Sequence, residues 1–325
     1  SPSSSSPSSA SPTGSASSDA GPVVAPLTGV RVAAVAAQPA LVVKIENSSA
    51  ARPQTGLDRA DLVVEELVEG GITRFAAMFQ SRTAASVGTV GPVRSLRDVD
   101  ASIAGPTHGL LASSGGASVV LRRLRTAPVQ LVLPSRSAYF RSKARPVPHN
   151  LYARADGLWA AADPEHRAPP APYLPWAADA AGAATSGAGS SPAATLAITF
   201  SRAAHPRWTY DASSKRWLRS EGSTPSKVAS GARLAAQNVV VLRVRTRDAG
   251  YRDPVGNPVP ETVLTGTGSA LVLTGGRQVA GRWSKASPFA PLTLTTASGA
   301  PLTVAPGTTW LELVPVSGGA SVQVR

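Results

Sequence analysis

Acidic, basic and amide side chains are concentrated in residues 44–75, KIENSSAARPQTGLDRADLVVEELVEGGITRF. Glu65 and Glu69 share a side whether this segment is a strand or a helix, whereas strand alternation puts Glu66 on the other face. Two carboxylates near a histidine can act as general acid and base, because their surroundings move their pKa values apart. His149 follows two prolines, Pro146 and Pro148, that restrain its backbone. We therefore predict Glu65, Glu69 and His149 as catalytic residues; the alternative is a set of solvated ion pairs.

A second group of residues has the chemistry to hold an anion. A guanidinium group binds a carboxylate or a phosphate through two hydrogen bonds, so converging arginines would form an anion site. The predicted ligand-binding residues are Asn47, Arg52, Arg74, Arg94, Arg97 and Asn150. The alternative is that these arginines pair with neighbouring acids and hold the domain together.

The composition excludes several kinds of chemistry. The chain has 325 residues and no cysteine, which rules out disulfides, cysteine-bound zinc, iron–sulfur clusters and a thiol nucleophile. Four scattered histidines without an HExxH motif argue against zinc, and there is no Walker A or GxSxG motif. We expect no cofactor and no metal, although the acids leave an oxygen-ligated Ca²⁺ or Mg²⁺ open.

The charge and the hydropathy limit the partners. The net charge of +13 is spread along the chain and few aromatic residues interleave with it, so we expect no nucleic-acid partner. No apolar run approaches the roughly 20 residues that span a bilayer. The sequence does not indicate the oligomeric state.

Composition divides the chain into four parts. Residues 1–22 form a Ser- and Pro-rich stretch without large apolar side chains, which predicts a disordered tether. Residues 23–176 predict a mixed α/β domain that carries the candidate site. Residues 177–194, rich in Ala, Gly and Ser, predict a linker or loop, and residues 195–325 predict a β-rich domain. The expected class is α+β, with the mixed unit packed against a mostly antiparallel β unit.

Apolar periodicity indicates the elements that position the polar residues. In the first unit it predicts strands at 41–45, 72–80 and 129–133 and helices at 98–111 and 117–125, whereas 57–69 mixes strand and helix signals. In the second unit, short β-branched runs punctuated by Gly, Pro and Asn predict strands at 196–200, 239–245, 262–264, 270–273, 278–283, 292–295 and 309–314.

Ten segments carry a resemblance to a known family. They are PLTG at 26–29, KIEN at 44–47, residues 51–75, GPVRSLRDVD at 91–100, SGG at 114–116, PHNLY at 148–152, AQNVVVLRV at 236–244, GTG at 266–268, GRWSK at 281–285 and PGTTW at 306–310. Together they resemble the YerB-like lipoprotein family. The resemblance implies an exported, often lipidated bacterial protein with a mixed α/β unit followed by a β-rich unit, and it implies no particular activity. The chain departs from the family pattern at 221–232, where small residues replace a histidine-bearing turn.

Three functions are compatible with these features. We expect an extracytoplasmic protein of the Gram-positive, actinobacterial cell envelope, bound to the membrane only through a lipid tether or else secreted. The first hypothesis is a protein that binds an anionic envelope glycan, or another phosphate- or carboxylate-bearing ligand, in an N-terminal cleft. The second is a hydrolase or transferase acting on a cell-wall polymer, with Glu65 or Glu69 and His149 as acid and base. The third is a structural or protein-interaction lipoprotein whose polar residues form an internal ion-pair network.

Overall fold

Strands dominate the structure, a computed structural model that describes residues 23–135, 137–253 and 255–325. The structure is 41% strand and 13% helix, so the predicted α+β class is confirmed. The strands are β1 (Leu41–Glu46), β2 (Leu62–Leu67), β3 (Thr73–Phe79), β4 (Thr89–Val90), β5 (Leu110–Ala112), β6 (Gln130–Val132), β7 (Tyr139–Arg141), β8 (Leu151–Arg154), β9 (Ser191–Pro192), β10 (Thr195–Thr199), β11 (Pro206–Asp211), β12 (Arg216–Glu221), β13 (Thr224–Pro225), β14 (Ala235–Ala236), β15 (Asn238–Arg252), β16 (Pro258–Val263), β17 (Gly266–Thr274), β18 (Arg277–Lys285), β19 (Thr293–Thr295), β20 (Thr309–Pro315) and β21 (Ser321–Val324).

The helices are short. The α-helices are α1 (Ala84–Val87), α2 (Asp100–Ala104), α3 (Ser118–Leu124) and α4 (Ala155–Ala160), and 3₁₀ turns occur at Ser49–Ala51, Leu57–Arg59, Glu69–Gly71, Gly105–Thr107, Pro164–His166 and Ala184–Ser186. Over the residues that the structure describes, no helix combines the length and the apolar character needed to cross a bilayer.

One twelve-stranded sheet organises the molecule. Its order is β19-β18-β17-β15-β20-β2-β3-β1-β5-β6, with β16 beside β15 and β9 beside β18. β2 runs parallel to β20, so strands from both sides of residues 177–194 belong to the same sheet. β15, β20, β2, β1, β5 and β6 all run in one direction, with β3 antiparallel between β1 and β2. Their carboxyl ends therefore meet along one edge, which we call the carboxyl edge; the opposite one is the amino edge.

The two faces of this sheet are covered differently. On the sandwich face, Phe75 and Trp310 pack among the buried residues of a six-stranded sheet, β13-β12-β11-β10-β21 with β14, and of a three-stranded sheet, β4-β8-β7. Trp208 meets Trp310 edge-on with ring centroids 5.2 Å apart. On the helix face, Val64 and Ala76 pack with residues of α2 and α3. The inner strands of the central sheet, such as β1, β2 and β3, thus present alternate side chains to two separate cores.

Most predicted strands and the helix at 117–125 are confirmed, but the helix predicted at 98–111 is wrong beyond its first turn. α2 ends at Ala104, and a 3₁₀ turn at Gly105–Thr107 leads into β5 at Leu110. Pro106 within that turn lacks an N–H, and Leu110 pairs with β1 instead of continuing a helix.

The tether predicted at 1–22 lies outside the described residues. The segment 177–194 lies against the chain before β20, with the Ala177 N–H 2.8 Å from the Val304 carbonyl oxygen.

Candidate functional site

The polar residues of the first unit gather at the carboxyl edge. Glu46 at the end of β1 lies opposite Arg74 at the start of β3, and Arg74 lies opposite Glu66 near the end of β2. These three side chains point to the helix face. Glu65, the neighbour of Glu66, points to the sandwich face, as strand alternation predicts. The edge therefore carries polar side chains on both faces of the sheet.

A buried ion triad lies on the helix face. Lys44 forms ion pairs with both Glu66 and Asp100, and its Nζ is 2.7 Å from Asp100 Oδ1. All three side chains are completely buried. Burial, opposed by the charge of Lys44 and assisted by that of Asp100, raises the pKa of Glu66 to about 7. Because the triad has two carboxylates and one ammonium, it favours a protonated Glu66.

A second ion network joins Glu69 to two arginines. Arg97 Nε donates to Glu69 Oε2 at 2.8 Å, and Arg74 Nη2 donates to Glu69 Oε1 at 2.6 Å. Burial opposes ionisation of Glu69, but the hydrogen bond from Arg97 and the charges of both arginines outweigh it and lower its pKa to about 2. Arg74 also donates to the carbonyl oxygen of Ser95 at 2.9 Å. In this arrangement Glu69 is a permanently ionised partner of the arginines.

The third group on this face is partly open to solvent, and we call Glu46, Ser48, Arg94 and His149 the Arg94–His149 site. His149 Nδ1 and Ser48 Oγ each lie 2.8 Å from Glu46 Oε1, and Arg94 Nε lies 3.7 Å from it. Glu46 is 2% exposed, whereas the side chains of His149 and Arg94 are 23% and 26% exposed. Among the described residues, neither the Arg94 guanidinium nor His149 Nε2 has a hydrogen-bond partner. One buried carboxylate thus holds two outward-facing donor groups.

Glu65 belongs to a cluster on the sandwich face. Its Oε2 accepts from Arg219 Nη2 at 2.9 Å, and its Oε1 accepts from Thr73 Oγ1 at 2.6 Å. Glu312 lies beside Glu65 in the register of β20 and β2, and its Oε1 accepts from Trp208 Nε1 at 2.8 Å. Burial raises the pKa of both carboxyl groups. Arg219 is the one cation that the described residues place between these two acids, and it also pairs with Glu221, so the cluster favours a neutral Glu312.

A cavity of about 290 Å³ opens beside this cluster. Its walls include Asn47, Arg52, Gln54, Arg219 and the segment 224–227. Asn47 Nδ2 donates to Thr73 Oγ1 at 2.8 Å, and Arg52 Nη2 donates to the Asn47 carbonyl oxygen at 3.0 Å. Two of the predicted ligand-binding residues, Asn47 and Arg52, thus lie here instead of with Arg94.

Glu65 and Glu69 do not share a side, contrary to our expectation. Glu65 contacts Arg219 on the sandwich face, whereas Glu69 contacts the arginines of the helix face. The reason is that β2 ends at Leu67 and the chain turns through Gly70 and Gly71, which have φ values of 70° and 72°. Strand alternation therefore stops before Glu69.

Asn150 also lies apart from the arginines of the helix face. Its Oδ1 accepts from Arg141 Nη1 at 2.7 Å and its Nδ2 donates to the Ser142 carbonyl oxygen at 3.2 Å. These bonds join the two ends of the connection between β7 and β8. The backbone of His149, by contrast, is restrained as expected, with its N–H 2.9 Å from the Pro146 carbonyl oxygen.

Sequence reasoning missed several buried charges that build these clusters. Lys44 and Glu312 are single charged residues within apolar strand runs, LVVKI and TWLELVP, and that isolation was the available signal. Glu46 lies within the polar segment 44–75 but is not among the predicted catalytic or ligand-binding residues. Arg219 gave no local signal, because Glu65 is 154 positions away in the chain. Within residues 23–135, 137–253 and 255–325, no group of three or more His, Asp or Glu side chains is arranged to hold a metal ion.

Comparison with known proteins assigns the chain to a family. The N-terminal domain of the family described as "Protein of unknown function (DUF3048)" matches residues 27–168, and its C-terminal domain matches residues 196–311. The two matches together cover more than half of the chain, so this protein belongs to the DUF3048 family.

Two comparisons with Bacillus subtilis proteins confirm the resemblance to YerB. The chain is 34% identical over 143 residues to the protein named "Putative lipoprotein YerB" of Bacillus subtilis (strain 168), a match that spans 43% of this chain and 42% of that protein. The crystal structure of the YerB protein from Bacillus subtilis superposes with a TM-score of 0.77 at 24% identity, covering 93% of this chain and 99% of that one. The structural likeness establishes a shared fold.

Proposed function

We propose that this protein is an exported, lipid-anchored component of the cell envelope that binds an anionic ligand at the Arg94–His149 site. The name of the Bacillus subtilis relative and the Ser- and Pro-rich composition of residues 1–22 support the anchoring. The ligand class is a phosphate- or carboxylate-bearing group, such as the repeating unit of an anionic envelope glycan.

The state of Arg94 is the observation that carries this proposal. Its neighbours Arg74 and Arg97 are both ion-paired with Glu69, whereas Arg94 makes no hydrogen bond to any described residue and is partly exposed. Glu46 lies 3.7 Å from Arg94 Nε, close enough to orient the guanidinium without occupying its donors. A guanidinium held in place with free N–H groups is suited to bidentate binding of an oxyanion.

His149 would supply a further donor to the same ligand. Its Nδ1 is bound to Glu46, so a protonated ring points Nε2 away from the carboxylate. A nearby cleft of about 530 Å³, lined by Ser95, Arg97, Gly115 and Tyr251 among others, offers room for the rest of a glycan unit.

Ligand-induced thermal stabilisation tests the proposal. Inorganic phosphate, teichoic-acid fragments and arabinogalactan fragments are compared on the wild type, on Arg94→Gln and on Arg122→Gln, which removes the same charge from an exposed position of α3. A ligand at about 100 times its dissociation constant stabilises the folded state by about 2.7 kcal/mol. We expect one ligand class to raise the Tm of the wild type and of Arg122→Gln, with most of that rise lost in Arg94→Gln.

Two outcomes contradict the proposal. An equal rise in Arg94→Gln would place the ligand elsewhere. If no ligand has an effect and Arg94→Gln is itself markedly destabilised, Arg94 serves the structure, and the protein-interaction hypothesis takes precedence.

A second candidate function, hydrolysis or group transfer on a cell-wall polymer, is favoured by the pairing of His149 with Glu46. A carboxylate bound to Nδ1 leaves Nε2 as a proton acceptor beside Arg94, which is the arrangement of a general base with its orienting acid. Release of soluble fragments from purified cell wall tests this function. His149→Gln should abolish release while weakening ligand-induced stabilisation less than Arg94→Gln does; undiminished release would exclude His149 as the base.

A further inference from the structure

A second polar cavity lies at the amino edge of the central sheet, on the side opposite the Arg94–His149 site. Its volume is about 380 Å³, and its walls come from turns that precede β2, β15 and β20 and from the residues after β3. The lining side chains that bear charge are Asp61, Arg82 and Arg216. Two cations therefore face one cavity together with a single acid.

The single acid is already fully engaged. Asp61 Oδ2 accepts from the backbone N–H groups of Gln80 and Ser81 at 2.6 and 2.8 Å. Its Oδ1 accepts from the Ser81 hydroxyl. Asp61 thus fixes the turn after β3 and forms no ion pair with either arginine.

Arg216 is held rigidly with one edge of its guanidinium unused. Its Nη2 donates to Thr308 Oγ1 at 2.8 Å and to the Ala235 carbonyl oxygen at 3.0 Å. Its Nε is buried and has no partner among the described residues. Its Nη1 is not buried and donates no hydrogen bond to the described residues, so it is free to donate to an acceptor that arrives from outside the chain.

Arg82 brings a second guanidinium to the same cavity. The residue is exposed, and its side chain donates no hydrogen bond to the described part of the protein. Burial, and then the charge of Arg82, lowers the pKa of Arg216, which agrees with two cations that face each other. The two guanidinium groups outnumber the one acid of the cavity, and an anion bound between them would reduce their mutual repulsion.

We propose that Arg82 and Arg216 form a second anion site that takes a phosphate group. Arg216 supplies a fixed donor edge, Arg82 closes over the ligand from the exposed side, and the Thr308 side of the cavity remains for the rest of the ligand. The phosphate can belong to a soluble molecule or to a phospholipid headgroup. The site does not depend on the proposed function, because the two sites lie at opposite edges of the sheet.

Titration with inorganic phosphate tests the site directly. The arginine Nε–H signals are followed by NMR at constant ionic strength, and the Arg216 signal is assigned from its loss in Arg216→Lys. We expect a saturable shift of the Arg216 signal in the wild type. Arg82→Gln removes no internal hydrogen bond, so the protein should fold normally but bind phosphate about tenfold or more weakly.

Two control variants test whether phosphate binding depends on arginines outside this site. Arg122→Gln removes an exposed arginine elsewhere, and Arg94→Gln alters the Arg94–His149 site; neither should change the phosphate affinity that the Arg216 signal reports. No saturable shift in the wild type, or equal weakening by Arg122→Gln, would overturn the proposal. An unchanged phosphate affinity of Arg82→Gln would do so as well.

Vesicles distinguish the two sources of phosphate. If the ligand is a headgroup, the wild type should sediment with phosphatidylglycerol vesicles, and Arg82→Gln should not, whereas Arg122→Gln should still do so. If the ligand is soluble, phosphate binding should persist in the NMR titration without any vesicle binding.

Discussion

Replacing Glu66 by Gln should make the protein more stable at alkaline pH, and the size of the gain can be derived from the buried triad. Glu66 is completely buried with Lys44 and Asp100, and its pKa is raised from 4.5 to about 7. Between these two values the folded protein keeps a proton that the unfolded chain has lost. The stabilisation from this proton is therefore complete at pH values below the pKa of Glu66 in the unfolded chain. It is lost as the pH rises through about 7.

The expected magnitude follows from the same shift. One pKa unit corresponds to about 1.4 kcal/mol, so about 2.5 kcal/mol of the free energy of unfolding is lost between about pH 5 and about pH 8. A glutamine side chain has nearly the shape of the protonated acid and cannot ionise. Glu66→Gln should therefore match the wild type at about pH 4, exceed its stability by about 1 kcal/mol at about pH 5 and exceed it by about 3 kcal/mol at about pH 8.

Urea unfolding followed by tryptophan fluorescence at several pH values measures this difference. Glu165→Gln, a change at an exposed acid, serves as the control and should follow the wild type at every pH. The reasoning is refuted if the wild type and Glu66→Gln lose stability in parallel as the pH rises, because Glu66 would then not retain a proton in the folded protein.

Two other substitutions test the sandwich face and a hairpin turn. Arg219→Met leaves Glu65 buried without its cation and should cost about 3–5 kcal/mol, measured as a lower urea midpoint; an unchanged midpoint would contradict the pairing. Gly276→Ala should destabilise more than Gly275→Ala in thermal unfolding. Both glycines have positive φ, but only at Gly276 would an added Cβ lie 2.8 Å from the Tyr210 ring. An equal loss of thermal stability in Gly275→Ala and Gly276→Ala would show that the Tyr210 ring moves aside.

Local patterns in the sequence predict much of this fold, because most strands carry their own signal. The β-branched runs and the Gly-Gly turn at 275–276 indicate β17 and β18 directly. The opposite orientations of Glu65 and Glu66 also follow from the two-residue period of a strand. The hairpin of β11 and β12 was missed, since its tryptophans alternate with charged and polar residues instead of forming an apolar run.

Long-range pairing is the part that the sequence does not specify. Nothing near Leu62 indicates that β2 pairs with residues that begin at Thr309, and nothing near Arg219 indicates Glu65 as its partner. The candidate site shows the same limit. The sequence predicted Arg94 and His149 as functional residues but did not indicate that Glu46 would hold both.

The parallel pairing of β2 with β20 also governs the order in which the protein can be completed during synthesis. Until Thr309–Pro315 leaves the ribosome, both β2 and β15 keep an unpaired edge, and the apolar residues beside those edges remain open to other chains. A truncated chain that ends before this strand would expose both edges permanently. Quality control of the newly made protein therefore depends on Thr309–Pro315, although the Arg94–His149 site is built from residues that lie between positions 46 and 149.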